Sequence, residues 1–321
     1  MSLNGSLTAA ILPSNATAQT VAWAVTSGAD LVTMSTNGNT ANFVVKSSGS
    51  ITVTATAGGV TATKTITVSD TLSDSSIITF ESATTKAFIV DNLDLDNDGE
   101  ISVAEMKALT HTGTIYKTAN INKFNEFKYC TGLYAKNQTG WNSYFNGNTH
   151  LTEITLPKNF LCSAYGATTE SFKNCTALEY CHFPENFVEN TNNTGGYTGI
   201  QTQIPDNFFN GCSSMKRVRF PNNITKYGNL VCYNCAALTT VILGTGSTTM
   251  QSIVSNTWTG DLVILNPNAV VTYELSYGQP AAANIYVPDA LYTQYKNATN
   301  WSTVAARFKK LSEYTGAVNL F

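Results

Sequence analysis

From Val21 to Val68 apolar and polar positions alternate with a period of two. Four runs carry the signal: Val21–Val25, Ala41–Val45, Ser50–Ala55 and Val60–Val68. All are rich in β-branched residues, and a two-residue period sends alternate side chains to opposite faces of a strand. Gly58-Gly59 divides the last two runs and predicts a tight hairpin. Ile51, Val53 and Ala55 share one face, and Trp23 is expected to plug the space between two sheets. The expectation for residues 1–70 is a small β-sandwich.

After residue 70 the period changes. Ser82–Asp91 places apolar side chains at Ala83, Ala87, Phe88 and Val90, which predicts an amphipathic helix. Ser102–Leu109 predicts a second helix, with Val103, Met106 and Leu109 at three-residue spacing. Between them stands Asp94-Leu-Asp-Asn-Asp-Gly-Glu-Ile-Ser-Val-Ala-Glu105. Carboxylates occupy loop positions 1, 3 and 5, glycine position 6 and glutamate position 12, the spacing that wraps hard oxygen ligands around Ca²⁺. The expected ligands are Asp94, Asp96, Asp98, the Glu100 carbonyl, Ser102 through water, and Glu105, with Ile101 packed inward. The segment 71–110 is similar to an EF-hand or a dockerin-like relative. Only one copy is present, so its apolar faces need a neighbour. Extracellular sites of this kind bind at ~10⁻⁴–10⁻³ M. At about ten times Kd the ion adds ~1.4 kcal/mol, which suits a structural brace better than a sensor.

From residue 111 to 314 a word recurs. Phe172-Lys-Asn-Cys-Thr-Ala-Leu-Glu-Tyr-Cys-His-Phe-Pro184 aligns with Phe209-Asn-Gly-Cys-Ser-Ser-Met-Lys-Arg-Val-Arg-Phe-Pro221. Further copies run Phe145–Pro157 and Tyr233–Leu243, with degenerate ones at Phe127–Leu133 and Leu262–Leu265 and a last pass at Ile285–Pro288. Spacings of ~25–37 residues are those of a solenoid. The longest gap holds the polar insertion Glu189–Gly196, expected as a surface loop. One copy cannot bury its apolar side alone, so stability comes from stacking. Ile154, Leu156, Cys181, Phe183, Val218, Phe220, Val241 and Leu243 are expected inside. Glu153, Thr155, Tyr180, His182, Arg217, Arg219, Thr240 and Ile242 are expected to point out as one continuous strip.

Two further resemblances follow. Pro13–Thr17, Val21-Ala-Trp23 and Ile51–Gly58 resemble the bacterial Ig-like domain, group 2, over about residues 7–68. That family carries a strand before the first word; here the chain either begins inside the domain or has a shortened first strand. The pattern aromatic-x-x-Cys-x-x-Leu-x-x-Ile/Val-x-Leu/Phe-Pro resembles the BspA-like leucine-rich repeat of bacterial surface antigens. Residues Ile285–Lys296, Trp301 and Lys310–Tyr314 fit the end of such an array, with Asp289 expected to cap a closing helix. The expected fold is therefore mainly β and multidomain: sandwich 1–70, calcium helix–loop–helix 71–110, leucine-rich-repeat solenoid 111–314 with a small helical end, and a tail 315–321.

Composition narrows the function. Charged residues make up 12% and the net charge is −3, which gives no footprint for nucleic acid. No apolar run reaches the ~20 residues that span a bilayer. Met1–Gly5 has no basic start or apolar core of a signal peptide. Seven cysteines leave at least one thiol unpaired within the chain. Cys130, Cys175, Cys212 and Cys235 share a repeat position and are expected as a ladder of small buried residues. Cys162, Cys181 and Cys232 stay open as pairing candidates, and Cys232-Tyr-Asn-Cys235 is a CxxC in form only. His111, His150 and His182 are scattered, and no nucleophile elbow, phosphate loop or zinc-protease motif occurs. The expectation is a non-catalytic, monomeric, extracellular or cell-surface protein with structural Ca²⁺. The resemblance implies adhesion to a protein or glycan on host cells or neighbouring bacteria. The strip around Tyr180, His182, Arg217 and Arg219 is the candidate contact face. A purely architectural spacer and a glycan binder are the alternatives.

Overall fold

The computed structural model describes residues 4–12, 17, 20–45, 49–68, 72–110, 115–133, 144–160, 170–189, 200–255, 257–274 and 282–318. They fall into two compact units, Met1–Thr79 and Phe80–Phe321.

The first unit holds strands β1 (Asn4–Thr8), β2 (Ala22–Ser27), β3 (Val32–Asn37), β4 (Thr40–Val45), β5 (Gly49–Ala57) and β6 (Val60–Val68). They pair antiparallel as β1-β4-β3 and β2-β5-β6. Val32, Ala41 and Phe43 of one sheet and Ile51, Val53 and Val68 of the other form one buried cluster. All four alternating runs are strands. Strands β1 and β3 carry few apolar residues (Leu7 in the first, Val32 and Met34 in the second), which is why periodicity alone does not mark them. Strand β1 pairs with β4 over five residues and so occupies the edge beside it. Trp23 packs against the cluster from a half-buried position. Gly58 and Gly59 have φ of 57° and 82°, the left-handed pair that a two-residue hairpin needs. Residues 13–16 lie outside the described residues.

The second unit opens with helices α1 (Ala83–Leu93) and α2 (Val103–Ala108). Ser82 caps α1 by accepting the Thr85 N–H at 3.1 Å. The inward face of α1 is not the one expected. Ser82, Thr85 and Ile89 are buried, whereas Ala83 and Ala87 are exposed. A helix this short takes its orientation from what it packs on. Phe88 meets Tyr116 with ring centroids 5.8 Å apart, and Thr85 Oγ1 accepts the Asn122 N–H at 3.4 Å. Val103, Met106 and Leu109 of the second helix are buried as expected. The helix pair thus seats its apolar faces on the first coil of the solenoid. Contact is close at Gly132, where a Cβ would fall 1.8 Å from the Lys107 carbonyl oxygen.

The coils present three parallel sheets. Strands β7 (Lys123–Phe124), β8 (Glu153–Thr155) and β9 (Tyr180–His182) form the first. Strands β10 (Gln203–Ile204), β12 (Lys226–Tyr227), β14 (Thr249–Met250) and β16 (Thr272–Tyr273) form a second. Strands β11 (Arg217–Arg219), β13 (Thr240–Leu243), β15 (Asp261–Ile264), β17 (Asn284–Val287) and β18 (Phe308–Lys310) form the third. The Lys216 N–H donates to the Glu179 carbonyl at 3.2 Å, carrying the ladder across the break between β9 and β11. The register sets Phe124, Ile154 and Cys181 in one inward column and Val218, Val241, Leu262, Ile285 and Phe308 in its continuation. All are buried, as are Leu156, Phe183, Phe220 and Leu243. Each large side chain so buried contributes about 1.5–3 kcal/mol.

Two more columns run through the stack. Tyr116, Phe145, Phe172 and Phe209 lie ring on ring, with centroids 5.2, 5.3 and 5.5 Å apart. Beside them the Cys175, Cys212 and Cys235 thiols donate to the carbonyls of Phe145, Phe172 and Phe209 at 2.9, 3.0 and 3.2 Å. Each thiol therefore bonds the aromatic residue of the preceding coil. Asn148 takes the thiol's place one coil earlier, donating to Tyr116 O at 2.7 Å and Ala119 O at 3.1 Å.

Two repeat assignments need correction. The first coil's strand is Lys123–Phe124, so Phe127–Leu133 is not a copy in phase. Phe127 lies in a 3-10 turn after that strand, and Cys130 follows the turn outside the thiol column. In the copy around Cys235 the residue three positions before the thiol is the buried Cys232, not the half-buried Tyr233. In the second case the aromatic Tyr233, one position after Cys232, hid the phase. The six described cysteines are all buried and free, and Cys162 lies outside the described residues. Helix α3 (Tyr292–Asn297) closes the end. Asp289 does not cap it: its carboxylate accepts the Ser312 N–H at 3.1 Å and hydroxyl at 2.7 Å, tying down the segment that follows β18.

Candidate functional site

The outward positions of the strands form two rows. The first runs Lys123, Glu153, Tyr180, Arg217, Thr240, Asp261 and Asn284, and all of it reaches solvent. The second runs Thr155, His182, Arg219, Ile242, Val263 and Tyr286. Thr155 and His182 are half-buried; from Arg219 onward every member is buried.

The open end is a preorganised polar surface. Glu153 accepts from His182 Nε2 at 2.9 Å and Asn125 Nδ2 at 3.0 Å, and its other oxygen lies 3.3 Å from Lys123 Nζ. Desolvation raises the Glu153 carboxyl, but hydrogen bonds from Asn125, His182 and Lys123 outweigh it and hold it below its ordinary value. Thr155 donates to Asn125 at 2.8 Å. Tyr180 stacks on His182 with centroids 6.3 Å apart, and Lys216 Nζ lies 5.4 Å from the Tyr180 ring centre. Aromatic and cationic groups held together in this way are typical of binding hot spots.

The other end departs from the expected strip. Ile242, Val263 and Tyr286 pack with Leu311, Tyr314 and Val318 of the C-terminal segment. Arg217 donates to the Ala317 carbonyl, and Arg219 Nε to the Val318 carbonyl at 3.3 Å. Arg219 also donates to the Phe220 carbonyl and to Asn222 Oδ1, and is 7% exposed. Arg219 and Ile242 are therefore corrected from exposed to buried. The reason is tertiary: one strand's face cannot reveal that residues 311–318 return to cover it. Arg217 remains half-exposed while donating to the Ala317 carbonyl. Lys123 and Lys216, which sequence reasoning missed, earn their places only through the cross-strand register.

The acidic loop brings Asp94, Asp96 and Asp98 together, with one carboxylate oxygen from each within 4.8 Å of the others. Asn97 at φ 60° and Gly99 at φ 80° turn the chain, and Asp94 accepts the Asn97 and Gly99 N–H groups at 2.7 and 2.9 Å. Ile101 is fully buried. Glu105 is not part of the triad. One of its oxygens accepts the Leu95 N–H at 2.7 Å, and the other accepts the Ser102 N–H and hydroxyl at 2.7 and 2.9 Å. Burial raises the Glu105 carboxyl, but these bonds prevail and lower it. Ser102 in turn caps α2 by accepting the Glu105 N–H at 3.2 Å. The Glu100 side chain pairs with Lys86 at 2.8 Å. The donor set is oxygen only, which fits a hard cation.

His150 is exposed and distant in the repeat from His182, and His111 lies outside the described residues. No helix among the described residues is long and apolar enough to cross a membrane.

Residues 111–194 and 197–259 match the family model of the BspA type leucine rich repeat region, in six copies. The matched coils are similar to BspA-type leucine-rich repeats. Beyond the matched residues, strands β15, β17 and β18 continue the same parallel ladder to Lys310. No curated protein matches the chain.

Proposed function

We propose that this is a non-catalytic recognition protein of the cell surface or extracellular space. It presents the open outward face of its repeat solenoid to a macromolecular partner, protein or glycan. The observation that carries this reading is the preorganised patch of Lys123, Glu153, Tyr180, His182 and Lys216, joined by Arg217 at its edge. Its side chains are already fixed by one another, so ordering them on binding costs little. A parallel solenoid with a polar, aromatic face is a common scaffold for such contacts.

The same proposal assigns supporting roles to the rest of the chain. The first unit is an Ig-like spacer: two antiparallel sheets around one core, with no cluster of titratable groups among its described residues. The acidic loop holds Ca²⁺ through Asp94, Asp96, Asp98, the Glu100 carbonyl, Ser102 and Glu105. The ion neutralises three clustered carboxylates and braces the helix pair that covers the first coil.

The test is an array of host matrix proteins, cell-surface glycans and bacterial envelope glycans, probed with the full chain. Binding that falls at least tenfold in Tyr180→Ala and in His182→Ala supports the recognition face. Binding indifferent to both changes removes this face. No binding to any arrayed partner favours a purely architectural role.

A further inference from the structure

The segment after β18 is seated like a bound ligand. Leu311–Glu313 form a 3-10 turn, closed by the Tyr314 N–H donating to Leu311 O, and residues 314–318 follow it over the outward face of β11, β13, β15 and β17. Asp289 anchors the start of the segment through Ser312, and the rest is held by contacts of the kind used for peptides. Leu311, Tyr314 and Val318 set apolar side chains on Ile242, Val263 and Tyr286, with the Tyr314 and Tyr286 rings 4.8 Å apart and edge-on. Arg217 and Arg219 donate to the main-chain carbonyls of Ala317 and Val318, contacts that any extended residue could satisfy. Apart from the half-exposed Arg217 the footprint is buried, yet every residue of the segment is half-buried or exposed. Elements with few buried contacts and no ladder open at low free-energy cost.

We infer that this face is a binding groove for a short peptide segment, and that residues 311–318 fill it in cis as an exchangeable strap. The incoming ligand is a short stretch of a partner protein that can take the same turn at its start. It carries apolar or aromatic side chains at positions 1, 4 and 8 and offers its last carbonyls to Arg217 and Arg219. Release of the strap frees both arginines and uncovers Ile242, Val263 and Tyr286. The recognition surface then lengthens from the Tyr180–His182 patch toward the C-terminal coils. The groove stands on its own contacts, independent of what the open patch binds.

Two measurements test it on the full chain. In the first, amide hydrogen exchange is followed on the native protein. Amides of residues 314–318 should exchange at least 100-fold faster than those of Ile242 and Val263, because the strap opens without unfolding the sheet. Equal protection of strap and sheet overturns the proposal. In the second, a dye-labelled peptide with the sequence of residues 311–318 is titrated by anisotropy into the native chain and into a Tyr314→Ala, Val318→Ala double variant. The variant, whose own strap is weakened, should bind the peptide at least tenfold more tightly than the native chain, and Arg217→Ala in that background should reduce binding severalfold. Equal binding to both chains, or binding to neither, overturns it. Neither measurement uses an array partner, so their failure leaves the recognition patch standing, and an empty array leaves the groove standing.

Discussion

Replacing Cys212 by alanine, and separately by serine, reads out what the thiol column does. Cys212 is fully buried, its Sγ–H donates to Phe172 O at 3.0 Å, and that carbonyl also accepts the Cys175 N–H at 3.1 Å. Alanine removes a sulfur-sized group from the stack. The lost transfer term is about 0.8–1 kcal/mol. A residual void of ~20 Å³ adds about 0.5 kcal/mol. With a weak hydrogen bond lost as well, Cys212→Ala is expected to cost about 1.5–2 kcal/mol. Serine is smaller but keeps a donor aimed at the same carbonyl, so its hydroxyl is buried with a partner and the cost stays below about 1 kcal/mol. For a unit of this size the melting temperature shifts about 2–4 °C per kcal/mol. Alanine should therefore lower it by about 3–8 °C and serine by under about 4 °C. Urea unfolding followed by circular dichroism gives both numbers. A serine variant as unstable as the alanine one would show that sulfur acts only as apolar filler, and the donor role would fall.

Further outcomes follow from the same contacts. Asn148→Ala should cost more, about 3–4 kcal/mol in urea unfolding, because Asn148 also accepts the His150 and Leu151 N–H groups at 2.9 and 3.0 Å; a loss under about 1 kcal/mol would refute its place in the column. If Ca²⁺ braces the acidic loop, EDTA should lower the melting temperature of the second unit and added Ca²⁺ should restore it, with Asp96→Asn abolishing the response; a melting temperature indifferent to chelator refutes it. Burial pushes the Cys175 thiol up to about 12 from 9.0. Its stabilising contribution is therefore complete below pH 9 and lost as pH rises toward 12, so urea midpoints should fall as pH rises above 9, and less so in Cys175→Ser. Glu153 is held below its ordinary 4.5, so its contribution is present above that value and lost as pH falls through the lower folded value; Glu153→Gln should flatten the acid limb of the stability profile.

The sequence by itself determined everything that depends on short-range period. Alternation in Val21–Val68 specified four strands, because side chains two residues apart share a face whatever surrounds them. The aromatic-x-x-Cys-x-x-Leu word specified stacked coils, because one copy cannot bury its own apolar side. The acidic spacing placed three carboxylates on one turn, since five residues of loop leave them nowhere else to go. Tertiary structure decided what depends on partners distant in sequence. The inward face of α1 was set by Tyr116 and Asn122, the phase of the first coil by the pairing of Lys123 with Glu153, and the place of Asp289 by Ser312. Above all, the fate of Arg219 and Ile242 was set by residues about 75–100 positions later. A strand's period says which side chains leave the core. Whether water or another segment meets them is decided only when the chain has closed on itself.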